Sequence, residues 1–127
     1  VKSFVDTGQF LGIQAAGVAA LENWEQWVPG NIATFSRRRD VAVNCLREVG
    51  FKATLPKATM YLWIPVPGSE SSAAFATRTL EREGVMVVPG SSLGAGGEGF
   101  FRIALTVDEE RMLEATQRLG RLLSTTA

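Results

Sequence analysis

The chain has 127 residues, of which 46% are hydrophobic, and it carries 13 basic and 13 acidic side chains. This composition predicts one folded domain, and the balanced charge excludes a global field that would hold nucleic acid or an anionic membrane. The absence of histidine excludes imidazole as a general base and as a metal ligand. The single cysteine, Cys45, excludes an internal disulfide and a cysteine zinc site. No apolar run reaches the roughly 20 residues of a membrane helix. We therefore expect a cytoplasmic protein without a metal site.

The first half of the chain is predicted to be helical. Residues 8–27 place apolar side chains three and four positions apart, which predicts an amphipathic helix. A second helix is predicted from Pro29 to Gly50, because proline is tolerated in a first helical turn and glycine often follows the last one. We place the break between the two helices at residues 28–30.

The second half of the chain mixes short strands with helices. Branched and aromatic residues are enriched in four segments, which we predict as strands: 51–55, 60–66, 85–88 and 100–105. One helix is predicted at 69–84, and a last helix follows Thr106–Glu109, whose sequence has the spacing of a capping box. These elements predict an α/β two-layer sandwich with a small mixed sheet of about four strands and helices packed on it.

A glycine-rich segment precedes the last predicted strand. Gly94, Gly96 and Gly99 have the G-x-G-x-x-G spacing of a dinucleotide-binding loop. Such a loop opens a helix, so that the pyrophosphate meets the helix N-terminus, whereas Phe100 onward is predicted to be a strand. A triphosphate loop would need Gly-Lys-Ser/Thr, and no lysine follows Lys57. We interpret the segment as a flexible surface loop.

Arg102 interrupts the apolar strand that follows this loop. Side chains alternate along a strand, so Phe100, Arg102 and Ala104 share one face while Phe101, Ile103 and Leu105 can face the core. One interpretation is a charge on an edge strand, which discourages aggregation. The other is a carboxylate-binding residue, since the guanidinium is a planar fork that stays charged. The pattern alone leaves both open.

Arg37, Arg38 and Arg39 form a local basic run. On a helix, three successive residues spread over most of the circumference, which favours solvated or ion-paired side chains over a nucleic-acid site. A nucleic-acid site at this run would bind with a steep salt dependence.

Five segments occur in an order that is typical of one enzyme family: VKSFVDTGQF at 1–10, FSRRRD at 35–40, PKATMYLW at 56–63, PGSSLG at 89–94 and FRIAL at 101–105. In this order the chain resembles the C-terminal third of a class I/II (fold type I) pyridoxal-phosphate-dependent aminotransferase. The resemblance implies an interdomain segment with a long linker-type helix in residues 1–28, followed by the C-terminal small domain in residues 29–127.

The resemblance also implies roles for individual segments. In that family the arginine of the Phe-Arg-Ile strand binds the α-carboxylate of the substrate, which implies Arg102 as the substrate-binding residue. The loop at 89–94 would shape the approach to this strand, and residues 6–10 would lie near the dimer interface and the active-site entrance. Leu93 and Phe35 depart from the family pattern, where phenylalanine and tyrosine are usual.

The cofactor lysine of the family has no counterpart here, because Lys2, Lys52 and Lys57 lack its Ser-x-x-Lys context. We therefore expect a fragment whose full-length parent carries that lysine upstream of Val1. The parent would be a homodimer that uses pyridoxal 5'-phosphate to transfer an amino group between an amino acid and a 2-oxo acid. The fragment alone would bind no cofactor and would be inactive.

The substrate is the least determined part of this expectation. The sequence Asp-Thr-Gly-Gln-Phe at 6–10 is similar to diaminopimelate-related or broad-specificity members of the family. An alternative function is a stand-alone α/β ligand-binding or regulatory module without catalysis, because a fold does not fix a function.

Overall fold

The computed structural model describes residue 8 and residues 10–124, which form four α-helices and three β-strands. The helices are α1 (Leu11–Glu22), α2 (Trp24–Glu48), α3 (Ser72–Glu83) and α4 (Glu109–Ser124). The strands are β1 (Tyr61–Pro65), β2 (Val88–Pro89) and β3 (Phe100–Ala104). Two compact units divide between Thr34 and Phe35.

In the first unit, the break between helices lies at Asn23 and not at the predicted residues 28–30. The backbone N–H and the side-chain amide of Asn23 both donate to the Ala19 carbonyl oxygen, at 3.1 and 2.8 Å, which ends α1. Pro29 lies inside α2. Proline removes one backbone donor, yet this 25-residue helix continues through it. None of the α1 residues is buried.

The second unit contains the sheet, in which β3 lies between β1 and β2 and both pairings are antiparallel. The α/β class is confirmed, but the sheet of the described residues has three strands and is not mixed. The predicted strand at 51–55 is absent because its backbone bonds locally. The Ala53 N–H donates to Phe51 O at 3.0 Å, and Ala53 O accepts from Arg47 Nε at 2.8 Å.

The core lies on one face of the sheet. Leu62, Ile64 and Phe101 point into it and join buried residues from α2, α3 and α4 in one cluster. The Phe101 ring contacts those of Phe51 and Phe75, with centroid distances of 5.8 and 4.6 Å. Burial of this aromatic cluster is a major source of stability. Helices therefore cover this face of the sheet, as the two-layer prediction requires.

The helix ends of the second unit follow local capping rules. Ser71 Oγ accepts a hydrogen bond from the Ala74 N–H, and Gly84 ends α3 with φ of 65°, a conformation that glycine adopts without strain. At the start of α4, Asp108 Oδ1 accepts from the Arg111 N–H at 2.8 Å. The helix start predicted near 106–109 is confirmed, with Asp108 as its cap in place of Thr106.

Candidate functional site

Arg102 lies in the middle of the sheet face opposite the core. Its directly paired neighbours are Trp63 on β1 and Val88 on β2. Because paired residues of antiparallel strands project to the same side, these side chains share this outer face. The interpretation of Arg102 as an edge-strand charge is wrong, since β3 has a hydrogen-bonded neighbour on each side.

An aromatic ring lies over the Arg102 guanidinium, and two more aromatic residues share its face of the sheet. Its central carbon lies 4.3 Å from the centroid of the Tyr61 ring. The Trp63 and Phe100 rings stack on each other at 5.6 Å and an interplanar angle of 16°. All three aromatic residues belong to the outer face by register, since Tyr61 pairs with Ala104 and Phe100 with Pro65. Tyr61 is therefore the aromatic residue that contacts the cation, while Trp63 and Phe100 form a stacked pair on the same face.

The Arg102 guanidinium has no hydrogen-bond acceptor within residues 10–124. Its Nε atom is buried and unpaired there, and the side chain makes no ion pair with any described residue. A half-buried cation without a partner is costly, which suits a site that takes up an anion. Because Nε is covered, an anion can reach only the terminal Nη1 and Nη2 atoms, which form one edge of the fork.

The glycine-rich loop leads directly to this strand. Gly90 and Gly97 touch so closely that a Cβ at either would lie about 2 Å from the carbonyl oxygen of the other. The Val66 N–H donates to Gly99 O at 2.8 Å. The predicted strand after Gly94, Gly96 and Gly99 is confirmed, in place of the helix that a dinucleotide-binding loop opens. The loop predicted to be flexible is held by these contacts.

Glu98 fastens the same loop to α3. Its carboxylate oxygens accept hydrogen bonds from the backbone N–H and the hydroxyl group of Ser72, at 2.7 and 3.0 Å. These hydrogen bonds, the backbone one foremost, lower the pKa of Glu98 below its ordinary value. Ser72 is the first residue of α3, where the helix dipole also favours a negative charge.

The three arginines at 37–39 make ion pairs and hydrogen bonds within the second unit. Arg37 pairs with Glu109, and Arg38 donates to Leu105 O at 3.2 Å. Arg39 pairs with Asp40 at 2.8 Å and donates to Pro56 O at 3.3 Å. The prediction of ion-paired side chains is confirmed for Arg37 and Arg39, and the three residues tie α2 to separate segments of the unit.

A cleft of about 390 Å³ lies elsewhere in the second unit, between residues 84–87 and α4. Ile103 and Ala104 line it, but Arg102 does not. Over residues 10–124 no group of three or more acidic, cysteine or histidine side chains could hold a metal ion. No helix in the described part of the chain is long and apolar enough to cross a membrane.

Sequence reasoning missed two residues of this region. Tyr61 and Trp63 alternate with buried residues on β1, and that alternation predicts an outer face, but it does not show which strand lies beside it. The segment 6–10, predicted to lie near the active-site entrance, falls largely outside the described residues.

Known proteins of one family are similar to this chain over most of its length. The model of the family "Aminotransferase class I and II" matches residues 10–119. The chain is 44% identical to an LL-diaminopimelate aminotransferase of Moorella thermoacetica, over 97% of this chain and 32% of that relative. A probable N-succinyldiaminopimelate aminotransferase structure from Thermus thermophilus aligns with a TM-score of 0.86 and 36% identity, over 94% of this chain and 32% of that one.

A structure of L,L-diaminopimelate aminotransferase from Chlamydomonas reinhardtii is also similar, with a TM-score of 0.77 and 28% identity over 91% of this chain and 28% of that one. The chain spans about a third of the length of the curated relatives that it matches. The family match covers most of this chain, from the first helix to the last. The chain therefore belongs to the class I and II aminotransferase family.

Proposed function

We propose that this chain is the small-domain part of an aminotransferase that moves an amino group between an amino acid and a 2-oxo acid. In this proposal Arg102 binds the α-carboxylate that both substrates carry. Family membership supports the reaction class. The observation that carries the role of Arg102 is its unpaired guanidinium on the outer face of the sheet.

Carboxylate binding accounts for the chemistry of this position. A guanidinium keeps its charge at any working pH and offers two parallel N–H donors to the two carboxylate oxygens. A hydrogen bond to a charged group contributes about 1.5–3 kcal/mol, which corresponds to a factor of about 10 to 150 in affinity. The Tyr61 ring lies over the guanidinium and shields part of it from water, which strengthens this attraction.

We further propose that residues 1–28 are an interdomain segment and that residues 29–127 form the small domain. The first unit carries exposed apolar side chains, with Leu11, Leu21 and Trp27 exposed by 75, 76 and 62%. Apolar surface of this kind marks contact with other protein. Contact with the rest of the enzyme or with the second subunit of a homodimer would cover it.

The family uses pyridoxal 5'-phosphate, which supplies an aldehyde that takes up the amino group and a ring that accepts electrons. That cofactor needs a lysine amine within its pocket. The described lysines, Lys52 and Lys57, are both exposed on the surface. The described residues therefore do not fit the cofactor, and we propose that other parts of the enzyme hold it.

The proposed substrate is diaminopimelate or a close derivative, and the proposed role is amino acid biosynthesis. Curated relatives named LL-diaminopimelate aminotransferase are 40–44% identical to this chain. The solved structure from Thermus thermophilus bears a related name, for the N-succinyl derivative. These names support, as the substrate, a long amino acid that carries a carboxylate beside the reacting amine.

The test is an amino-transfer assay of the proposed enzyme with LL-diaminopimelate, aspartate and alanine as donors. Arg102→Ala is expected to keep the absorbance of the bound cofactor and to raise the KM of every active donor. Arg111→Ala is the matched control, because it removes the same charge from α4, on a residue that lines the separate cleft. Donor binding without amino transfer would favour the stand-alone binding module instead. An unchanged KM in Arg102→Ala would overturn the role of Arg102.

A further inference from the structure

We infer that Tyr61 is a positioning residue for Arg102, and that its ring, and not a hydrogen bond, sets the plane of the guanidinium. The inference rests on the proposed role of Arg102 as the carboxylate-binding residue. It assigns Tyr61 a contact with the Arg102 side chain and none with the substrate.

No hydrogen bond from the described residues anchors the Arg102 side chain. Arginine side chains are flexible, and hydrogen bonds to carboxylates or carbonyls normally hold the guanidinium in one orientation. Among residues 10–124 no such acceptor contacts Arg102, and its Nε atom is buried without a partner. The Tyr61 ring, 4.3 Å from the guanidinium carbon, is therefore the contact that can fix the plane.

Two other arginines of residues 10–124 lie over aromatic rings. Arg38 lies 5.7 Å from the Phe35 ring and also donates to the Leu105 carbonyl oxygen. Arg78 lies 5.5 Å from the Phe75 ring and also pairs with Glu70. The contact at Arg102 is shorter than either, and it lacks the polar partner that those two arginines have.

The register of the strands places Tyr61 next to Arg102. Tyr61 pairs with Ala104, so it stands diagonally across from Arg102, within reach of a long side chain. The small side chain of Ala104 leaves the tyrosine ring free to lean towards Arg102. Trp63 is directly opposite Arg102, but its ring stacks on Phe100. Register therefore selects Tyr61 as the partner of the cation.

The contact between Tyr61 and Arg102 should affect the affinity for the substrate and not the chemistry at its amine. With Nε covered, the terminal Nη1 and Nη2 atoms form the edge that a carboxylate can reach, and this edge is useful only if the plane is fixed. Loss of the ring would keep the charge of Arg102 but release its orientation. Affinity for amino-acid and 2-oxo-acid substrates should fall together, because both carry the carboxylate.

The experiment compares Tyr61→Leu and Tyr61→Phe in the holoenzyme. Tyr61→Leu removes the ring and is expected to raise the KM of both substrates about 5- to 30-fold, with a smaller change in kcat. Tyr61→Phe keeps the ring and should change KM by less than about twofold. Phe35→Leu is the matched control, because it removes a ring from the contact with Arg38, and it should leave KM unchanged.

Each outcome separates this inference from the proposed function. A raised KM in Arg102→Ala with an unchanged KM in Tyr61→Leu overturns the inference alone. An unchanged KM in Arg102→Ala overturns the proposed function. Equal losses in Tyr61→Phe and Tyr61→Leu would assign the effect to the hydroxyl group and overturn the role of the ring.

A second measurement does not depend on the folding of Tyr61→Leu. In holoenzyme labelled with ¹⁵N-arginine, the Arg102 Nε–H signal is identified by its loss in Arg102→Lys. A ring held over the guanidinium should shift this signal upfield, in the wild type and in Tyr61→Phe alike. A signal at the position of a free arginine would overturn the inference.

Discussion

The carboxylate of Glu98 accepts hydrogen bonds from the backbone N–H and the hydroxyl group of Ser72, and so joins the loop before β3 to the first residue of α3. Ser91 N–H also donates to the Ser72 hydroxyl oxygen, at 3.3 Å. The loop that leads to Arg102 is thus fixed at the helix terminus by polar contacts as well as by the packing of its glycines.

This relationship predicts a pH dependence of stability. The hydrogen bonds from Ser72 lower the pKa of Glu98 below its ordinary value of 4.5, so the folded state favours the ionised form. The stabilisation is fully present above pH 4.5 and is lost as the pH falls from there through the lower pKa of the folded state. Glu98→Gln should lose stability less steeply than the wild type below pH 4.5, in thermal unfolding measured from pH 7 to 3. Parallel curves for the two proteins would contradict this prediction.

The contact between Gly90 and Gly97 predicts that alanine substitutions at two glycines of one loop differ sharply in their effect on stability. Gly90→Ala would place a methyl group 2.0 Å from the Gly97 carbonyl oxygen, so we expect a loss of at least about 2 kcal/mol in the free energy of unfolding. Gly96 has open space around it, and Gly96→Ala should change that free energy by less than about 1 kcal/mol. Chemical denaturation measures both, and equal effects would refute the close contact.

The start of α4 offers a test of the capping assignment. Asp108 Oδ1 accepts the Arg111 N–H, so Asp108→Ala should reduce the free energy of unfolding by about 0.5–2 kcal/mol. Thr106→Ala is the control, because Thr106 lies before the cap that the structure shows and should have little effect. A larger loss in Thr106→Ala than in Asp108→Ala would restore the capping box predicted from the sequence.

Local patterns predicted the elements that depend on nearby residues. The helix at 72–83 was predictable because Ser71 and Gly84 supply its two caps, and the strand at 100–104 because its apolar residues bracket one charge. Pro29 misled the prediction, since the local bonds of Asn23 decide where α1 ends. The bounds of an element are therefore predictable when residues within or next to it determine where it begins and ends.

The candidate site was only partly predictable for a related reason. Arg102 was identified by a family resemblance and by the chemistry of its fork, both present in the sequence. Its contact with Tyr61 depends on the pairing of two strands far apart in the chain, and neither strand encodes that register by itself. The same holds for the central position of β3, which the sequence left open to an edge-strand interpretation.

The most direct test of the central claim compares an amino-acid donor with the amine that lacks its α-carboxylate. The measurement is the ratio of the two kcat/KM values in wild-type enzyme, in Arg102→Ala and in the control Arg111→Ala. If Arg102 binds the carboxylate, the wild-type preference for the amino acid should fall by about 10- to 150-fold in Arg102→Ala and persist in Arg111→Ala. An undiminished preference in Arg102→Ala would contradict the assignment.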